Sequence, residues 1–456
     1  MPISETATRI FTEIQRSLEL LGCRPTIDEL NGTASLVTQS MSSECRTFHR
    51  GEHALDLIDP KDAILTLSAL FHDVVYYQVD GHMPEGMTEF LKPLIDYRDG
   101  DLFLVKDLLV RQPDLALPCQ IFGTGPGQKL NPFNGLNEFL SAVAVFMTLR
   151  PMLADSILVQ IYACIEATIP FRPVTAEFDS MRALEKNLRL SSKKFNLGLD
   201  QATIDQAMTR AAELSNRDVG NFASNNPSWF LATTWLLLPE RNARLRGNLF
   251  TVKDYRQSLY KMSEFFDFLK PEIIFKTYHG APDTAAHTER VATAKENIAI
   301  ARVYIKVKLV ALGLLEAMAH ATGGDLHMPK FLGGKPAQLT TGLRMEDHLP
   351  KADVKQTRNP KVYEILKIGR ALDTNFDLRN SPLATFIYEQ MTDPELESLL
   401  HFSREFFNDK MSYDDYLAKF PPLILNTVAE ACSQSCPERA AALRALPKKI
   451  LGNQAA

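Results

Sequence analysis

Apolar residues recur along this chain at intervals of three and four, and that spacing limits its fold more than any other feature. In the segment 296–320, Ile298, Ala301, Ile305, Leu309 and Leu312 fall on one stripe of a helix, with Lys306 and Lys308 off it. Similar amphipathic stretches cover about 4–21, 62–77, 136–149, 153–168, 200–216 and 252–269. Proline and glycine lie between these stretches rather than inside them. Strand signals are scarce: no run of alternating Val, Ile and Thr closed by Asn-Gly or Asp-Gly argues for a hairpin. The expected fold class is all-α.

A chain of 456 residues carries a prior of roughly three domains at about 150 residues each, fewer when helical domains run long. Hydrophobic residues at 45% and charged residues at 23% exclude a disordered or collagen-like chain. A net charge of -5 lacks the clustered basic excess of an extended nucleic-acid surface. It leaves room for a small phosphorylated ligand held by a few local cations. The cysteines at 23, 45, 119, 164, 432 and 436 form no CxxC pair, and Cys432 with Cys436 are too few for a structural zinc site. Reduced thiols are the expectation. Acids and arginines interrupt the first 22 residues where a signal peptide needs an apolar core. The longest apolar runs, Phe139 to Leu149 and Phe230 to Pro239, are shorter than a membrane span. The expected location is the cytoplasm, with no membrane partner.

Two stretches read as connectors: the Pro- and Gly-rich segment 111–135, and 279–288, after which the Ile298 helix begins. A third polar, Gly-rich stretch spans 322–342. The main boundary is expected near 281. The apolar stripe of the Ile298 helix fits either packing against the first domain or a homodimer face.

Four of the ten histidines fall between positions 49 and 82. His49 and His53 stand one helical turn apart, so a helix there would project both imidazoles from one face. His72 and Asp73 are adjacent at the end of an apolar helix that begins near Asp62. Adjacent helical residues point about 100° apart, so the doublet can wrap a metal only where the helix end faces a cleft. A carboxylate embedded in an apolar run costs several kcal/mol unless it is partnered, so Asp73 needs a cation beside it. Imidazole and carboxylate together make metal ligation the favoured reading over a core histidine paired with a surface cation.

These residues resemble the HD-domain superfamily of metal-dependent phosphohydrolases. Within it they are most similar to a bacterial branch whose first motif reads Arg-x-Tyr-His-Asn-x-x-His. Arg46, Phe48, His49 and His53 match that motif, with Phe for Tyr and Arg50 for Asn. Phe71, His72, Asp73, Val74, Val75 and Tyr76 match the Phe-His-Asp-Val-Val-Tyr run. Asn137, Glu138, Ser141 and Ala142 match an Asn-Glu-x-x-Ser-Ala box, and Ile165, Ala167 and Thr168 a following segment. Asp218 is the candidate for the last aspartate. The 252–269 stretch resembles the closing helices of the branch. More than 60 residues separate the His-Asp motif from the Asn-Glu box, which departs from the branch and marks an insertion. The resemblance implies an N-terminal helical extension over 1–39 and an HD-like bundle over 40–280 with an insertion at about 80–135. A helical C-terminal domain of no assigned role would occupy 281–456.

The resemblance further implies a divalent ion held by His72, Asp73, Asp218 and one of His49 and His53, with His53 favoured. Mn, Fe, Co, Ni, Zn and Mg all suit such donors. Coordination can lower the pKa of water from 15.7 to about 7, and no convincing covalent nucleophile is present, so metal-activated water attacking phosphorus is the economical mechanism. Glu138 is expected to order that water or serve as general acid-base. Arg46 is expected to clamp a phosphate oxygen. His49, if not a ligand, is placed near substrate or water, and Glu166 is a candidate neighbour of the ligands. The expected substrate is a small phosphorylated molecule or nucleotide. GTGPG at 123–127 lacks the Lys-Ser/Thr of a phosphate loop and reads as a mobile loop. Two alternatives stand: a non-catalytic regulatory protein on the same scaffold, and a di-iron oxygenase. The latter requires two further histidines, and none occurs between His82 and His279.

Overall fold

The computed structural model describes residues 4–131, 135–172, 174–175, 178–247, 249–328, 344–350 and 359–452. The protein is 68% helix with one small three-stranded antiparallel sheet. The helical expectation holds, and that small sheet is the departure from an all-α class. It comprises β1 (Ile95–Arg98), β2 (Asp101–Leu104) and β3 (Lys129–Leu130), with Arg98 opposite Asp101 and Leu102 opposite Leu130. Asp99 and Gly100 turn the first hairpin with φ of 51° and 82°. Positive φ at both central residues matches the right-handed twist of the strands, which is why Asp-Gly favours a two-residue turn. That dipeptide was present in the sequence, and the strands on either side were too short and too polar to register as alternation.

The periodic stretches become helices where capping chemistry lets them begin. Ser4 accepts a hydrogen bond from Ala7 N ahead of Glu5–Leu20, and Thr26 with Glu29 forms a capping box at the start of Ile27–Met41. Ile10, Ile14 and Leu18, spaced by four, are fully buried. Asp62 caps Ala63–Phe71 through Leu65 N at 3.0 Å, and all nine residues that follow are buried. A helix apolar all round belongs at the centre of a core. This one packs against Glu5–Leu20, Gly51–Leu57, Leu136–Leu149 and Asp155–Ala167, and Asp155–Ala167 packs in turn on Gln201–Asp218. The stretch expected at 62–77 stops at Phe71, so His72 caps a helix end instead of lying within a helix. The connector at 111–135 contains the Ala116–Phe122 helix and β3. Most of the 322–342 stretch lies outside the described residues.

Contacts divide the chain into one unit of Met1–Ala223 with Lys270–Thr293 and a second of Ser224–Leu269 with Ala294–Ala456. This differs from the boundaries at 39/40 and 280/281. The first helix shares the core of the histidine region, and the Val252–Phe268 helix belongs to the second unit. Residues 270–293 return to the first unit, and the division falls inside the long Thr284–Ala321 helix. Ile298, Ala301, Ile305, Leu309 and Leu312 are buried in the second unit, so the stripe offers no free dimer face. Lys308, expected off the stripe, is buried as well. Among the described residues no helix is long and apolar enough to cross a membrane.

Gly135 precedes the Leu136–Leu149 helix with a φ of 83°, and a Cβ there would stand 2.3 Å from Ile169 Cδ1. Left-handed backbone and overpacking each disfavour a side chain. Gly135→Ala should destabilise the protein by about 2 kcal/mol or more, read from urea unfolding midpoints, and Ile169→Val in the same chain should restore part of the loss.

Candidate metal centre

The apolar helix Ala63–Phe71 delivers His72 and Asp73 to its own C-terminal end, and Gln201–Asp218 delivers Asp218 as its last residue. Both carboxylates therefore lie where the backbone carbonyls of a helix point and the dipole is negative. The short helix Gly51–Leu57 supplies His53. The result is a group of His53, His72, Asp73 and Asp218 whose ligand atoms all lie within 4.8 Å of one another, which can hold a metal ion.

Distances within the group are those of donors converging on a point. His53 Nε2 lies 3.0 Å from Asp218 Oδ1, and His72 Nε2 lies 3.0 Å from Asp73 Oδ2 and 3.5 Å from Asp218 Oδ1. His72 Nε2 and Asp73 Oδ2 are both closed off from solvent, and neither makes a hydrogen bond. Buried polar atoms without partners are rare, and a cation between these two would satisfy both. His72 Nδ1 sits 2.7 Å from Ala69 O, the bond that fixes the tautomer of a ligating imidazole and leaves Nε2 its lone pair.

Electrostatics agree with this donor set. Burial alone would raise the Asp73 carboxyl, yet His72, His49 and His53 hold it well below the usual carboxylate range. Asp218 is likewise depressed against its burial by His53 and His72. Burial pulls His72 down, and the charges of Asp73 and Asp218 outweigh it and raise the imidazole well above its ordinary value. Negative charge concentrated here favours a cation, whether protons on imidazole or a metal.

His49 lies beside the group and outside it. The helix starts at Gly51, so the expected one-face pairing of His49 with His53 does not form. The His49 ring stands 5.8 Å from that of His53 at 89° and packs edge-on against Tyr76 at 4.5 Å. Arg46 also departs from expectation. Only 1% exposed, it binds Asp80 through Nε and Nη2 and donates from Nη1 to Asp73 O at 2.6 Å and from Nη2 to Val74 O at 3.3 Å. Its donors hold the turn that carries Asp73, which corrects the phosphate-clamp assignment.

The Asn-Glu box holds the same turn from the other side. Ser141 Oγ accepts from Val75 N at 3.0 Å, and Asn137 Oδ1 accepts from Tyr77 N at 3.1 Å. Glu138, between them, has its Oε2 closed off from solvent without a hydrogen-bond partner. Burial, together with the charges of Asp73 and Asp218, pushes its carboxyl up to about 7. Glu166 is paired with Arg172 through two contacts of 2.5 and 3.1 Å and is not one of the four donors. His82 is exposed, its Nδ1 2.9 Å from Met83 O, and it is not in the group.

Lys276 was not anticipated. Its backbone N donates to Asn216 Oδ1 at 2.7 Å and its carbonyl accepts from Asn216 Nδ2 at 2.8 Å, two residues before Asp218. Its Nζ donates to Ala167 O and Ile169 O, at the end of the Asp155–Ala167 helix. Burial, aided by Arg172, lowers its ammonium to about 7. The chain returning at 270–293 thereby clasps the helix that presents Asp218. A lysine set in the apolar run 273–278 was the available signal.

No family model matches the chain, and neither does any curated protein or solved structure.

Glu138 generates a pH-dependent prediction. Unfolded, it loses its proton near 4.5; folded, near 7. Between those values the folded state binds more protons, so stability falls as pH rises through the window. In chelator, Glu138→Gln should be more stable than wild type by about 1–2 kcal/mol at pH 8 and nearly equal to it at pH 4.5. Urea titrations at the two pH values measure the difference.

Proposed function

We propose that the protein is a metal-dependent phosphohydrolase that cleaves a phosphate ester of a small molecule or nucleotide. The reading is carried by the four convergent donors, His53, His72, Asp73 and Asp218. The order of these residues along the chain is the order seen in the HD-domain superfamily, and that likeness supports the phosphoryl half of the proposal. A divalent ion held by the four would acidify a water molecule and offset negative charge on a phosphoryl group.

The chain's own groups take the remaining roles. His72 is held in one tautomer by Ala69 O, so Nε2 stays available as a donor atom. Arg46, Asn137 and Ser141 hold the 73–77 turn by side chain to backbone bonds, so Asp73 does not swing away when charge develops. Glu138, titrating near neutral pH, suits delivery of a proton from its carboxyl to a leaving alkoxide, since general acids work best with a pKa near the working pH. His49, outside the donor group and packed on Tyr76, would take the role of contacting substrate.

Metal analysis of the purified protein, followed by a screen of nucleotides and phosphomonoesters with added Mn or Co, tests the proposal. Bound metal and turnover are both expected, and both should fall by about 100-fold or more in His72→Ala and Asp73→Ala. His53→Ala should lose metal affinity, whereas His49→Ala should keep the metal and lose turnover. A protein that binds no divalent ion, or binds one and cleaves no phosphoester, overturns the reading. Oxygen uptake with bound iron would point to the oxygenase instead.

A further inference from the structure

One cluster in the second unit, beside a cavity, buries two cations against a single carboxylate. Lys308 and Arg370 both meet Asp377, at 2.7 and 3.0 Å, and the three side chains are 7%, 0% and 7% exposed. Four donors converge on the one oxygen Asp377 Oδ2: Lys308 Nζ, Arg370 Nη1, Trp235 Nε1 and Tyr255 Oη. Trp235 Nε1 also reaches Tyr255 Oη at 3.0 Å, and Arg370 donates from Nη1 to Tyr304 Oη and from Nη2 to Leu378 O, both at 2.9 Å, so what is unbalanced here is charge, with two cations sharing the single carboxylate of Asp377. Lys308 reaches a second acceptor, Ser381 Oγ at 3.2 Å, for its three protons. Arg370 Nε is buried with no hydrogen-bond partner. The other buried pair nearby, Arg256 with Glu316 at 2.8 Å, is balanced and cancels nothing here.

Aromatic rings absorb part of the surplus. Lys308 Nζ lies 5.7 Å from the Trp235 ring centroid and Arg370 Cζ lies 4.6 Å from it. A ring quadrupole is a weaker partner than a full anion. One unit of positive charge is left, and burying it without a counter-charge is unfavourable.

Lys308 also lines a cavity of about 60 Å³, and Ala311, Leu312 and Leu315 continue that wall along the same helix face. Phe376 and Leu383 also line it, as do Arg344 and Glu346, which pair with each other at 3.1 Å and add no net charge. We propose that this cavity binds a small monocarboxylate, whose single negative charge meets Lys308 and whose short apolar tail lies on the Ala311–Leu315 wall. The volume suits on the order of five non-hydrogen atoms, the size of propionate. Inorganic phosphate fits less well, because Arg344 in the wall is already paired with Glu346 at 3.1 Å and the multiple charges of phosphate would exceed the single surplus cation. This site is built wholly from the second unit and does not depend on the metal centre or its chemistry.

Titration calorimetry of the full-length protein with propionate, and with the neutral isostere propionamide, tests the proposal. Propionate should bind with a dissociation constant below about 10 mM and propionamide at least tenfold more weakly. Bound propionate should show a nuclear Overhauser effect from its methyl group to the Met328 methyl, which lines the cavity. Ala384→Leu, which fills the cavity and leaves every charge in place, should abolish binding. Absence of propionate binding at about 10 mM, equal binding of propionamide or inorganic phosphate, or an effect arising at methyls away from Met328 overturns it. Should Ala384→Leu fail to fold, the isostere contrast and the Met328 effect decide alone.

Discussion

Two aspartates sit at the carboxyl ends of two helices that meet in the core of the first unit, and this constraint organises everything around them. Asp73 follows a helix with no exposed residue, and Asp218 ends a second helix that reaches the same place. A carboxylate at a helix C-terminus is opposed by the helix dipole, and one buried there is opposed by desolvation as well. The arrangement is stable only with positive charge between the two acids. His53 and His72 stand there, and their spacing from both carboxylates matches a shared cation.

Much of the surrounding polar chemistry keeps those acids in place. Arg46, Asn137 and Ser141 each bond the backbone of the turn after His72, and Asn216 joins the returning 270–293 segment to the helix of Asp218. None of these groups needs to touch a substrate to matter. A donor set tolerates displacements of about half an ångström, so precision must come from groups that are themselves fixed. Glu138 is the exception within this shell: its neighbours on the helix are bonded to the turn, and its own Oε2 lacks a hydrogen-bond partner and faces the negative potential of the acids.

The second unit handles buried charge differently. Around Asp377, donors surround the carboxylate, and Lys308 and Arg370 lower it against its burial. In the first unit two carboxylates converge with two imidazoles; around Asp377 two cations share one carboxylate. Opposite imbalances call for ligands of opposite sign, a cation in one case and an anion in the other.

Helical character was legible in the sequence because three-four spacing of apolar residues is a local property, and His72, Asp73, His53 and Asp218 were legible because metal chemistry restricts residue type. The Asp99-Gly100 hairpin is equally local, but strands of four residues carry too little alternation to be legible. Tertiary structure alone decided the rest. A helix start at Gly51 separated His49 from His53, since an i,i+4 pair shares a face only within a helix. Arg46 became a backbone brace because the turn it faces presents the carbonyls of Asp73 and Val74, and Lys308 entered the core because Asp377, 69 residues away, waits there. Residue type says what a side chain is able to bind. Which partner it meets depends on contacts between distant segments, and only folding brings those together.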